Sequence, residues 1–191
     1  MGNGNSTVGN DLSIVINHLA ENEARWFAVM TKYKCEKYVV RHLHKKGVTA
    51  YIPLIEKVKR YSRKTKKYSV PLINCFTFVH IIKDEYVKVL ETEYVFGFLR
   101  QRKDLICVPD EEIQIIKRVV GEVVEVKSDI REFQTGMPVE IIGGTLTGIR
   151  GKLVKQKGKN TFVVELQSIG YQLHMDIDRT LLKPVGIQQG T

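Results

Sequence analysis

The chain has 191 residues, 43% of them hydrophobic and 27% charged, with a formal net charge of +9. That length holds one large domain or two small ones, and that composition builds a core while keeping the chain soluble. No apolar run approaches the roughly 20 residues of a membrane span, so a transmembrane protein is excluded from the reading.

The charge is unevenly spread. Residues 1–24 carry three acids and no Lys or Arg, residues 25–120 carry 21 basic and 10 acidic residues, and residues 121–191 carry 9 and 8. A field concentrated on the middle segment favours a polyanionic partner and speeds encounter with it. Cys35, Cys75 and Cys107 are widely spaced, with no C-x-x-C pair. Such a set argues against a disulfide framework and against zinc, and for a reducing, cytoplasmic compartment. The opening MGNGNSTVGN lacks a basic n-region and an apolar h-region, so it is not a secretory signal. Its loose matches to myristoylation and N-glycosylation patterns are chance matches in a Gly/Asn-rich tail.

Residues 1–10 read as disordered and residues 11–20 as a short amphipathic helix, within a weakly ordered extension over 1–24. Order begins at Arg25, where RWFAVMT reads as a buried strand. CEKYVVRHLHKKG then spaces Val39, Val40 and Leu43 on one helical face and ends in cations and a Gly stop. TAYIPLIEKV is extended, with Pro53 marking an edge or bend. The apolar FTFVHI predicts a central strand. DEYVKVLETEYVFGFL gives a short helix and then a strand. VPDEEIQIIKRVVG is the clearest helix: Asp110, Glu111 and Glu112 sit where the dipole favours acids, and Gly121 ends it.

Beyond Gly121, residues 122–134 read as a linker. PVEIIGG, RGKLVKQ, TFVVEL and YQLHMDI are short strands separated by Gly-rich turns, which predict a small all-β barrel over 135–186 and a tail at 187–191. Gly144, Gly148 and Gly151 permit tight turns or positive φ. The fold class is therefore α+β: an α/β sandwich over 25–121, an antiparallel sheet flanked by helices, and then a small barrel.

KVKRYSRKTKKYS, residues 57–69, holds seven Lys or Arg and no acid. Val58 and Tyr61 lie before its most polar part and Tyr68 and Val70 after it. Mirrored apolar residues about a polar tip make a hairpin, closed by a longer loop because no Asn-Gly or Asp-Gly turn is present. On such an arm Lys57, Lys59, Arg60, Arg63, Lys64, Lys66 and Lys67 neutralise phosphates. Tyr61 and Tyr68 either stack on bases or stiffen the arm. The competing reading is a solvated loop kept basic for solubility.

Taken in order, RWFAVMT, a helix with Glu36 near its start, YIPLIEK, the basic hairpin, PLINCFTFV, YVFGFLR and VPDEEI resemble the N-terminal domain of the NusG family of transcription elongation factors. GMPVEIIGGTLTGIRGKLV is similar to the KOW motif, and this gives the barrel its SH3-like expectation. The resemblance runs from about Arg25 to Val185. The PLI segment, the basic hairpin and the N-terminal extension look most like the specialised antiterminators of the RfaH and UpxY capsular-polysaccharide type. The resemblance implies a monomer that sits on the clamp helices of RNA polymerase through an apolar pocket, at or under which Trp26, Ile73, Phe76 and Phe98 fall. It implies contact with the non-template strand or upstream DNA through Lys32, Lys34, Arg41 and His42, with His42 placed as the base-contacting His of RfaH-like proteins. It also implies a ribosomal protein, Rho or leader RNA as partner of the KOW segment. At +1, that segment fits a protein partner at least as well as RNA. Fold switching of the RfaH type is not expected, because the segment has β propensity throughout. One departure stands out: where the family has Phe-Pro-Gly/Asn-Tyr, this chain has Ile73-Asn74-Cys75-Phe76.

The function expected is thus transcription antitermination and elongation, specific to long operons such as those for capsular or exopolysaccharide synthesis. The alternative is a KOW-containing RNA-binding or ribosome-associated protein that does not act on polymerase. No catalytic motif, cofactor fingerprint or metal pattern is present in the sequence, so an enzyme is not expected, and neither is a cofactor or metal.

Overall fold

The computed structural model describes residues 17–122, 126–129, 136–156 and 159–185. The extension over 1–16, most of the 122–134 stretch and the tail from 186 lie outside the described residues, as does most of the helix expected over 11–20. His18, Leu19 and Ala20, from that stretch, are not helical.

The first unit runs β1 (Arg25–Thr31), α1 (Glu36–Lys45), β2 (Thr49–Tyr51), β3 (Leu54–Arg60), β4 (Thr65–Pro71), β5 (Phe76–Ile81), α2 (Tyr86–Leu90), β6 (Val95–Phe98), β7 (Arg100–Gln101), β8 (Asp104–Leu105) and α3 (Asp110–Val120). The second runs β9 (Val126–Asp129), β10 (Met137–Ile141), β11 (Arg150–Gln156), β12 (Lys159–Leu166), β13 (Tyr171–Met175) and β14 (Leu182–Pro184).

In the first unit a four-stranded antiparallel sheet has the order β2-β5-β1-β6. The β1–β5 register opposes Trp26 to His80, Ala28 to Phe78 and Met30 to Phe76. Side chains alternate along a strand, so β1 divides into two faces. Phe27 and Val29 join Val79, Ile81, Val39, Leu43 and Val89 in the cluster beneath α1 and α2. Trp26 and Ala28 point the other way, toward Phe78, Ile113 and Ile116 of α3. Helices therefore cover both faces of the sheet. α1 ends as its sequence dictates: Gly47 takes φ 79, its N–H donates to His44 O, and Val48 N–H donates to Leu43 O. Those two bonds close a Schellman turn that only glycine enters without strain.

In the second unit a six-stranded antiparallel sheet has the order β14-β10-β11-β12-β13-β9. Phe162, Val164, Leu166, Leu173 and Met175 are fully buried, each side chain contributing ~1.5–3 kcal/mol by leaving water. Two sequence expectations are corrected here. The linker stretch contains a strand, β9, paired with β13. Gly151 is not in a turn. It lies inside β11, where an added Cβ would meet Val163 O at 2.5 Å and the Phe162 ring at 2.7 Å. Its missing side chain is needed for close approach, whereas Gly144 (φ 76) and Gly148 (φ 86) do occupy the left-handed region.

The two units share one hydrophobic cluster, in which Ile73, Phe78, Ile113 and Ile116 meet Val139, Ile141, Phe162 and Leu173. Polar contacts frame it. Arg118 Nη2 donates to Thr145 O and Thr147 O, both at 2.7 Å, between the two left-handed glycines. Ser168 donates to Glu112 through its backbone N–H and its hydroxyl. Phe76 meets Tyr171 edge-on at 5.7 Å.

Candidate nucleic-acid and partner interfaces

The basic stretch forms a two-stranded hairpin, β3–β4, outside both larger sheets. Lys57 opposes Tyr68, Val58 opposes Lys67, Lys59 opposes Lys66 and Arg60 opposes Thr65. Residues 61–64 close it, with Tyr61 N–H donating to Lys64 O at 2.8 Å. Every residue from Glu56 to Tyr68 is exposed. Among the described residues, none of the seven hairpin Lys and Arg enters an ion pair. The base of the arm is tied down: Lys37 Nζ on α1 donates to Ser69 O (2.7 Å) and Oγ (2.8 Å), and Leu72 N–H donates to Pro53 O. A fixed base and an uncompensated cationic arm form a surface that can take up phosphate charge.

A second cluster lies where β1 ends. The β1–β6 register shifts between Met30 and Thr31, a bulge of the kind that re-aims side chains. Lys34 (φ 65), Cys75 (φ 62) and Tyr94 (φ 69) are all left-handed without being glycine. Backbone bonds join these strained segments: Lys32 N–H donates to Tyr94 O, and Thr31 N–H to Cys75 O. Buried Glu36 accepts the Cys75 N–H at 2.8 Å. Strained residues of this kind cluster at active sites, ligand clamps and switch regions.

Here the His42 ring stacks on Tyr38, centroids 3.8 Å apart, with His42 Nδ1 2.9 Å from Tyr38 O. A carbonyl only accepts, so Nδ1 carries the proton in this bond. Tyr38 donates its hydroxyl to Glu93 at 2.7 Å. The Tyr38 and Tyr94 hydroxyls hold the Glu93 carboxyl below its usual range, helped by the charges of His42 and Lys32. Lys32 Nζ lies 5.5 Å from the Tyr94 ring and Lys34 Nζ 5.2 Å from the Tyr33 ring. Arg41 is exposed on the same helix and exerts its charge on Tyr38. The structure thus brings Lys32, Arg41 and His42 around Tyr38, Glu93 and Tyr94, with Lys34 beside them on Tyr33. Sequence reasoning missed the three at the centre. Tyr38 stands four residues before His42, a helical neighbour spacing that was available to find it. Glu93 and Tyr94 meet α1 only through the fold.

The four apolar candidates divide. Trp26, Ile73 and Phe76 belong to the cluster that includes the second unit. Trp26 is half-buried, with the His80 ring 4.9 Å away and Lys117 Nζ 5.3 Å from its centroid. Ile73 is fully buried, and Phe76 meets Tyr171. Phe98 lies on the opposite face, opposing Val29 across the strands and stacked on Tyr86 at 4.8 Å.

Among the described residues no group of three or more His, Cys, Asp or Glu could hold a metal ion. Among them, too, no helix is long and apolar enough to cross a membrane. A cleft of about 210 Å³ between Leu99–Gln101 and Gln167–Gly170 is smaller than the ~300–1,000 Å³ of small-molecule sites.

Residues 24–117 match the family model described as "Transcription termination factor nusG". No curated protein matches the chain. The solved structure described as "Domain interaction in Thermotoga maritima NusG" is similar at a TM-score of 0.54 and 20% identity, covering 86% of this chain and 98% of that one. Two chains of the MjSpt4:Spt5 complex, conformations A and B, overlay at TM-scores of 0.30 and 0.29 with 18% and 19% identity. They cover 84% of this chain and 98% and 97% of theirs, and overlays that loose bear no weight. Residues 24–117 thus match a NusG-family domain, and the likeness to the solved NusG structure is one of fold.

Proposed function

We propose that the chain is a transcription elongation and antitermination factor that binds RNA polymerase and suppresses pausing or termination. The observation that carries this is the NusG-family match over residues 24–117. Within that reading Trp26, Ile73 and Phe76 contribute the polymerase-binding face that meets the clamp helices, and Phe98 supports it from beneath the sheet. Because Ile73 is buried and Phe76 packs on Tyr171, use of that face requires the second unit to move off it. Lys32, Lys34, Arg41 and His42 contact the non-template strand, and the hairpin reaches upstream nucleic acid. Exposed, unpaired charge supports the hairpin role, and the strained Lys34–Cys75–Tyr94 cluster supports the strand contact. The second unit is a KOW barrel, for which the left-handed Gly144 and Gly148 speak, and its partner is a ribosomal protein, Rho or leader RNA. The protein is a cytoplasmic monomer of the RfaH and UpxY type that serves long operons such as those for capsular polysaccharide.

The test is retention of purified RNA polymerase by the full chain, followed by read-through of a pause and a terminator in transcription with that polymerase. Retention that is lost on deleting the clamp helices, together with increased read-through, is the expected result. Failure to bind polymerase with retained RNA binding would leave the ribosome-associated alternative instead.

A further inference from the structure

The two faces of the hairpin differ, and register sets the difference. Opposed residues of an antiparallel pair share a face, and successive residues alternate. Lys57, Tyr68, Lys59 and Lys66 therefore stand on one face. Tyr61 continues it: Lys59 Nζ lies 5.2 Å from the Tyr61 ring centroid. The other face carries Glu56, Ser69, Val58, Lys67, Arg60 and Thr65, with no ring and one acid.

The first face is poorly satisfied by its own chain. Tyr61 and Tyr68 are 47% and 40% exposed, although rings of that size bury readily where a core is offered. Lys59 stands directly across from Lys66, a like-charge pairing that weakens a sheet. Relief needs a partner that brings negative charge and flat apolar surface together. Duplex DNA brings phosphates but keeps its base faces inside the stack. An unpaired strand offers both, and stacking on an aromatic ring accepts any base.

We propose that this face binds single-stranded nucleic acid, DNA or RNA, stacking bases on Tyr61 and Tyr68 and holding phosphates with Lys57, Lys59 and Lys66. The inference rests on the hairpin being a nucleic-acid contact, as in the proposed function, and narrows it to an unpaired strand.

The experiment is fluorescence anisotropy of the full chain with labelled oligonucleotides of roughly 12 nucleotides, as single-stranded DNA, single-stranded RNA and duplex, over a range of salt. Tyr61→Leu with Tyr68→Leu should weaken single-strand binding about tenfold or more, leaving duplex affinity and the salt slope unchanged. Tyr61→Phe with Tyr68→Phe should bind as the parent does, and this pair keeps the test valid if the leucines disturb the arm. Lys57→Gln, Lys59→Gln and Lys66→Gln together should lower the single-strand salt slope by about 2. The preferred single strand, DNA or RNA, identifies the source. The proposal is overturned if the tyrosine pair costs no affinity, or if Arg60→Leu with Lys67→Leu on the other face costs as much. Parent binding to duplex alone would overturn this inference but keep the hairpin as a nucleic-acid contact. Binding to neither would overturn both.

Discussion

The hairpin β3–β4 and the strand pair β11–β12 use the same antiparallel geometry for opposite ends. In β12, Phe162, Val163 and Val164 are at most 2% exposed, so the strand is covered on both faces. In the hairpin, everything from Glu56 to Tyr68 is exposed. Charge follows the same division. Lys152 of β11 meets Glu165 of β12 at 2.9 Å, whereas Lys59 of β3 faces Lys66 of β4. Where the chain must hold itself together it buries rings and neutralises cations. Where both are left exposed, folding has not used them, and they are available to a partner.

Substitutions should therefore separate stability from binding. The largest effect is expected at the covered strand: Phe162→Ala removes a ring that is 1% exposed and should cost ~3–5 kcal/mol of unfolding free energy in a denaturant titration. Lys59→Ala, Arg60→Ala, Arg63→Ala and Lys64→Ala together should leave that free energy within about 0.5 kcal/mol. The same quadruple variant should lower the slope of log affinity for single-stranded DNA against log salt by about 2 to 3. An unchanged slope would make the arm a solvated loop and end the contrast.

The seam between the two units tests the comparison from the middle, because it is buried yet proposed to open. Arg118 donates to two carbonyls of the Gly144–Gly148 turn from an exposed position. Arg118→Ala should weaken docking by about 1 kcal/mol, seen as amide shift changes over Thr145–Gly148, and should raise polymerase retention. Weaker docking with lower retention would contradict a polymerase face lying under the second unit.

How much of this was legible follows from how local each signal is. β1, α1, β5 and α3 carry their period within one element, and the hairpin carries its mirror symmetry within one stretch. Phe98 is different. Alternation shows that it has a face, but only the register opposite Val29 shows which one. β9 has four residues and pairs with β13 more than forty positions away, so nothing local separates it from a linker. Gly151 reads like its neighbours Gly144 and Gly148 until the Phe162 ring is seen against it. Glu93 reaches Tyr38 across 55 positions. The cluster at the sheet end depends on these long-range meetings, and sequence periodicity does not record them.

The smallest predicted effect lies at Cys75, and it joins a sequence departure to a backbone angle. The family resemblance puts Gly or Asn at this position, between β4 and β5. Here Cys75 holds φ 62, a region that costs an ordinary side chain roughly 1–2 kcal/mol. Two bonds keep it there: Glu36 accepts its N–H, and its carbonyl accepts the Thr31 N–H. Neither bond uses the thiol, so Cys75→Asn keeps both while easing the backbone. It should raise unfolding free energy by about 0.5–1 kcal/mol. Cys75→Val, β-branched and ill-suited to positive φ, should lower it. If asparagine stabilises and leaves nucleic-acid affinity untouched, the strain at Cys75 is incidental to the Lys32–His42 surface. If asparagine stabilises and weakens binding, the strained turn positions that surface, and the exposed and buried regions are coupled through Glu36.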